Sequence, residues 1–161
     1  MYNLEQNLSP HFQLKEFVYT GNEKFQQANI DYLTEDGISK LKILATTILE
    51  PIRQNWGSIR INSGVRCPTL NTAIGGVNTS QHVLFEAADI TPLLYPTGDD
   101  LHKVFTWIVR DSGLKFGQCI FELESWIHIS LGEPYRAKEK CQQALDYIEQ
   151  DGKKIYLPAK F

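Results

Sequence analysis

The 161-residue chain has few cysteines, no basic excess and no long apolar run, and each shortage excludes a class of protein. Cys67, Cys119 and Cys141 are odd in number and show no C-x-x-C spacing, so neither a disulfide framework nor a thiolate zinc site is expected. Lys and Arg number 16 against 19 Asp and Glu, a formal net charge of −3. A nonspecific nucleic-acid binder would carry a basic stripe, so nucleic acid is not an expected partner. No stretch is long and apolar enough to span a bilayer, and residues 1–7 lack the basic start and apolar run of an export signal. The expectation is a monomer, without a membrane partner, that stays cytoplasmic as synthesised unless something releases it.

What is present is ordinary globular composition, 42% hydrophobic and 22% charged, in a length suited to one domain without repeats. The expected layout is a single domain over 1–161, with a core at about 9–131 and a C-terminal helix and tail at 132–161. Phe12, Leu14 and Phe17 read as anchors for the N-terminal segment, and the polar stretch 21–29 as a loop. Ile38, Leu41, Leu44, Ala45, Ile48 and Ile52 form a helical stripe with Thr34 as N-cap, and Pro51 marks its end. A second helix starts at Asp99 and Asp100 and buries Leu101, Val104, Phe105 and Ile108, with Gly113 closing it. Residues 133–149 carry Ala137, Cys141, Ala144, Leu145 and Ile148 at helical spacing, ended by Asp151-Gly152; residues 153–157 read as a last strand or an extended tail.

Strands are expected at 59–62, where apolar and polar residues alternate, at 87–91, and as a pair at 118–122 and 126–131. For that pair the turn length decides the chemistry. With Leu123, Glu124 and Ser125 as a three-residue loop, Glu122 faces Trp126 and residue 120 faces His128, so Glu122 and His128 share one side of the sheet. A two-residue turn would put Glu122 on the other side.

Zinc is held by a few nitrogen, sulfur or carboxylate ligands, and His82, Asp89 and His128 form a candidate set. Three protein ligands leave the fourth position for water, the arrangement of a hydrolytic rather than a structural zinc. His11 and His102 stay outside the set, the first as a structural or surface residue and the second as solvent-facing.

The segment Ile61-Asn62-Ser63-Gly64-Val65-Arg66-Cys67-Pro68, then Ser80-Gln81-His82 through Ala87-Ala88-Asp89-Ile90, then Trp126-Ile127-His128-Ile129-Ser130 resembles the zinc D-alanyl-D-alanine carboxypeptidase family. The resemblance runs from about residue 9 to residue 130, and its nearest branch is the small phage- and prophage-type peptidoglycan hydrolases. It implies an α+β fold in which a small antiparallel sheet carries the zinc ligands and helices pack against it. It also implies a Zn2+ cofactor on His82, Asp89 and His128, and a peptidoglycan peptide as substrate.

By the same resemblance, Arg66 of the S-G-x-R motif steadies a substrate carbonyl or carboxylate. Glu122, in the pattern Q-x-I-x-E before W-x-H-x-S, is the catalytic acid and base, with Glu124 as second choice. Ser80 bonds the substrate or caps a turn, and Trp126 walls the site or packs in the core. Two positions depart from the family pattern: Phe85 stands where a glycine is usual, and Gly117 where an aspartate is usual. The alternative function is a noncatalytic, zinc-containing binding module of the same fold.

Overall fold

A computed structural model describes residues 2–160. Its centre is a six-stranded sheet in which side chains alternate between two faces with different jobs. The strands are β1 (Ile59–Ser63), β2 (Ala87–Pro92), β3 (Phe116–Glu122), β4 (Trp126–Leu131), β5 (Gln143–Gln150) and β6 (Lys153–Pro158), in the order β1-β2-β4-β3-β5-β6. All neighbours are antiparallel except β3 and β5. The architecture is the expected α+β with helices against the sheet, although the sheet is larger than expected and has one parallel pair.

Ile61, Ala88, Ile90, Cys119, Ile127 and Ile129 face the core and are buried. Helix α6 (Gly98–Arg110) covers β3 on this side with Leu101, Val104, Phe105 and Ile108, the expected stripe, and the Phe105 and Phe121 rings lie 5.7 Å apart. His102 is half-buried against Phe121, with ring centroids 5.0 Å apart, rather than turned to solvent. The other face carries one continuous row, Ser63, Asp89, His128, Ile120, Leu145 and Pro158, set by the strand registers.

The remaining helices are α1 (Leu14–Val18), α2 (Gln26–Asp31), α3 (Glu35–Leu44), α4 (Glu50–Trp56) and α5 (Pro68–Ala73). Thr34 caps α3 as expected, its hydroxyl oxygen accepting from the Gly37 N–H at 3.0 Å. Pro51 does not end the helical run. A π-helical turn, Ala45–Leu49, joins α3 to α4, and the Glu50 N–H donates to the Ala45 carbonyl five residues back. Proline lacks an N–H and its ring crowds the carbonyl four residues earlier, so a wider turn ahead of it lets the run continue.

Two other expectations are corrected. The polar stretch 21–29 is not a loop throughout but enters α2, where Asn29 is fully buried. Its side chain donates to the Val18 and Val65 carbonyls and accepts from the Cys67 N–H, so a polar residue does the joining. The segment 133–149 is not a helix: it holds a short 3-10 turn and β5, and Asp151-Gly152 is the turn of a β5–β6 hairpin. Both turn residues have positive φ, 52° and 70°, the conformation a two-residue hairpin loop requires. The free edge of β3 supplies the backbone partners that override the helical spacing.

Phe85, where the resembled family has glycine, adopts φ +62°, a left-handed conformation that glycine takes without strain. Its ring is accommodated rather than expelled: it stacks on Tyr32 at 5.2 Å and lies over Gly37 of α3. A Cβ on Gly37 would fall 2.6 Å from the Phe85 ring. Gly37→Ala is therefore expected to cost about 1–3 kcal/mol of stability by overpacking, read by chemical denaturation. In a Phe85→Gly background the same substitution should cost much less; equal costs in both backgrounds would show that this contact does not matter.

Candidate metal centre

Asp89 on β2 and His128 on β4 sit directly opposite one another in the sheet, so their side chains leave the same face side by side. His82 arrives from the turn-rich segment after α5 and is 2% exposed. His128 Nδ1 lies 2.9 Å from Asp89 Oδ1, while His82 Nε2 lies 3.1 Å from the same oxygen and 3.1 Å from His128 Nδ1. Three potential ligand atoms thus form a nearly equilateral triangle. The expected set is brought together.

The outward nitrogens settle what the triangle can hold. His82 Nδ1–H donates to the Gly64 carbonyl at 2.6 Å, and His128 Nε2–H donates to Gln81 Oε1 at 2.8 Å. With those protons outward, neutral rings present lone pairs at Nε2 and Nδ1, facing a carboxylate oxygen. Burial lowers the pKa of His82 despite the attraction of Asp89, which keeps the ring neutral. Two lone pairs and an anionic oxygen about 3 Å apart repel unless a cation, a proton or a metal ion, lies between them. Two histidine nitrogens and a carboxylate, each oriented by a hydrogen bond from behind, are a donor set that fits zinc.

Asp89 divides its oxygens. Oδ1 faces the histidines and Oδ2 accepts from Arg66 Nη2, while Arg66 Nε donates to Ser63 Oγ at 2.9 Å. Burial alone would raise the Asp89 carboxyl, but positive charge on the His82 and His128 side, a proton shared with the rings when no metal is bound, outweighs it and holds Asp89 well below the ordinary carboxylate range. Glu122 pairs with Trp126 across the expected three-residue loop, so it shares the face of His128. Burial, reinforced by the negative charge of Asp89, pushes its carboxyl up to about 7. One carboxylate is thereby kept ionised at the triangle and a second is tuned toward neutral pH.

A family model described as Peptidase M15 matches residues 10–130. The chain belongs to this peptidase family. No curated protein matches it. M15 peptidases are zinc-dependent, and the buried His82, Asp89 and His128 group of this one could hold the metal.

The other candidate residues of this M15 peptidase fall around the triangle or away from it. Trp126 and Arg66 line a cavity of about 340 Å³ together with Asp89, Leu70, Ile74 and Tyr19. Ser80 is half-buried in the turn leading to His82, where its carbonyl accepts from the Val83 N–H at 3.0 Å. Glu124 is exposed at the tip of the β3–β4 turn. His11 lies on the surface and pairs with Glu50 at 2.8 Å. Gly117 sits where β3 is irregular, and a Cβ there would come 2.3 Å from the Leu131 carbonyl oxygen, so this backbone admits no aspartate.

Sequence reasoning missed the two residues that orient the histidines. Gln81 is adjacent to His82 but serves His128, and nothing in its spacing signals that. Gly64 is signalled only as part of a motif. Its backbone packs so tightly that a Cβ would lie 2.5 Å from the Phe17 carbonyl oxygen, which keeps its own carbonyl placed for His82.

Three outcomes are expected. Zinc at a hundred times its Kd should stabilise the metal-free protein by about 2.7 kcal/mol, and Gln81→Ala should weaken zinc affinity by roughly 10–100-fold in a competition titration. An unchanged affinity would remove Gln81 from the centre. The third concerns pH. Because the folded-state pKa of Glu122 is raised from 4.5 to about 7, its contribution favours the fold below 4.5 and is lost as pH rises toward 7. Metal-free Glu122→Gln should therefore gain stability relative to wild type between these values, with the gap levelling off above pH 7; a gap independent of pH would show that Glu122 titrates normally.

Proposed function

We propose that this protein is a zinc peptidase that hydrolyses peptide bonds of peptidoglycan, of the small phage- and prophage-type branch, made in the cytoplasm and active on cell wall after release. The observation that carries the reading is the buried His82, Asp89 and His128 triangle with a half-buried carboxyl, Glu122, on the same sheet face. Zinc bound at such a triangle supplies a Lewis acid and an activated water. The rest of the chemistry belongs to the chain.

Glu122 is the general base and acid: a carboxyl that titrates near neutrality takes a proton from the attacking water and returns it to the leaving amine. Arg66 has two tasks. Its Nη2 and Nε hold Asp89 and Ser63, and its remaining N–H groups serve a substrate carbonyl on which negative charge develops. Trp126 is the substrate wall on the Arg66 side. Its ring lines the cavity beside Arg66 and offers the peptide an aromatic surface. Ser80 lies beside the segment carrying His82 and is the second polar contact to the peptide.

Zinc-loaded protein should release new amino groups from purified peptidoglycan, and Glu122→Gln should reduce that rate by at least about 100-fold while retaining zinc. His128→Ala should lose zinc and activity together. Stoichiometric zinc without turnover on any wall fragment would favour the noncatalytic binding module instead.

A further inference from the structure

The β5–β6 hairpin lies beyond the residues matched to the family, yet it extends the sheet on the side of the site. Its register decides which side chains join the site's face. Trp126 on β4 pairs with Glu122 on β3, Glu122 with Tyr147 on β5, and Tyr147 with Tyr156 on β6, so one row runs unbroken from the metal-site strands to the outer edge. The two tyrosine rings stack with centroids 5.2 Å apart and planes 23° from parallel. Tyr147 is buried by this arrangement at 6% exposure, whereas Tyr156 is 49% exposed.

An aromatic ring stacked on one face and open on the other, at the end of a row that begins at the site, is a ledge rather than a core. Burial first, and then the charges of Glu122, Tyr147 and Asp89, raise the Tyr156 phenol. The next row outward carries one charge of each sign, Glu149 opposite Lys154. The ledge is therefore not built to capture an isolated charge; what it offers is aromatic surface. The cavity of Arg66 and Trp126 extends from Trp126 the other way, toward Asp89 on β2 and Ser63 on β1, away from the hairpin in the strand order. The reactive centre thus has a binding surface on both flanks, over β1–β2 and over β5–β6.

We propose that the C-terminal hairpin is the second wall of the substrate groove, with Tyr147 and Tyr156 forming the ledge that holds the peptide chain on the side of the scissile bond away from Arg66. The inference rests on the peptidase reading above and sharpens it. A site that needs chain on both flanks cleaves an internal bond, as an endopeptidase does, rather than trimming a single terminal residue. Strands spaced roughly 4.8 Å apart put β6 about 14 Å from β4, a span of about four residues of extended peptide.

The test uses soluble muropeptides, cross-linked dimers and uncross-linked monomers, prepared from peptidoglycan with a muramidase. Zinc-loaded Glu122→Gln protein, titrated with the dimers, should show chemical-shift changes at both the Trp126 indole and the Tyr156 ring. Shifts at Trp126 alone would overturn the hairpin proposal and leave the peptidase reading standing; shifts at neither would overturn both. In the otherwise native enzyme, Tyr156→Ala should raise KM for the dimers about tenfold with a much smaller change in kcat, the loss expected for one aromatic contact. Tyr156→Phe, which keeps the ring, should restore the native KM. An unchanged KM in Tyr156→Ala, with native melting temperature and zinc content, would reduce the hairpin to a cover for the β3 edge.

Discussion

Everything in the site follows from three buried donor atoms facing one another with their protons turned away. His82 and His128 can present lone pairs inward only because the Gly64 carbonyl and the Gln81 amide oxygen accept the outward N–H groups. Asp89 stays ionised in a buried position beside the Arg66 guanidinium on its Oδ2 and positive charge on the histidine side of its Oδ1. These constraints are mutual. Inside the cluster the lone pairs and the carboxylate oxygen face one another, and a cation is the partner they share.

The sheet turns that constraint into position. Cross-strand pairing fixes Asp89 beside His128 and Ile120 beside His128, and the alternation of side chains carries Glu122 onto the same face. Beneath the ligands, the residues alternating with them are apolar and buried, so the site stands on a packed floor of Ala88, Ile90, Ile127 and Ile129. The close approach of Phe17 to Gly64 brings the N-terminal helix into the same framework, since the Val65 N–H also donates to the Phe17 carbonyl at 2.7 Å. The hairpin completes it by pairing with the β3 strand that carries Glu122, which leaves that edge neither exposed nor free to pair with another chain.

The departures from the family pattern have local explanations in this chain. At position 85 the backbone keeps the left-handed conformation that glycine would take, and the phenylalanine ring is lodged between Tyr32 and Gly37. At position 117 the backbone runs against the Leu131 carbonyl, and only glycine fits. The donor triangle forms with both residues in place. Ser130, which follows His128 by two positions, is fully buried and its hydroxyl oxygen accepts from the Gln118 N–H at 2.9 Å, so it stabilises the irregular part of β3.

By itself the sequence determined the ligand candidates, the stripe of α6, the cap at Thr34 and, through turn length, the alternatives for Glu122, because these depend on short spacings and on periodicities of two and 3.6 residues. It misjudged Pro51, since a proline ends a helix unless a wider turn precedes it. It misjudged 133–149 because Leu145 and Ile148 fit helical spacing as well as a strand pairing. Only the tertiary structure decided that β3 offers an open edge to β5, that Gln81 turns away from its neighbour His82 to hold His128, and that Arg66 grips Asp89. Each of these is a contact between segments distant in the chain, and its energy exists only once the sheet has brought them together.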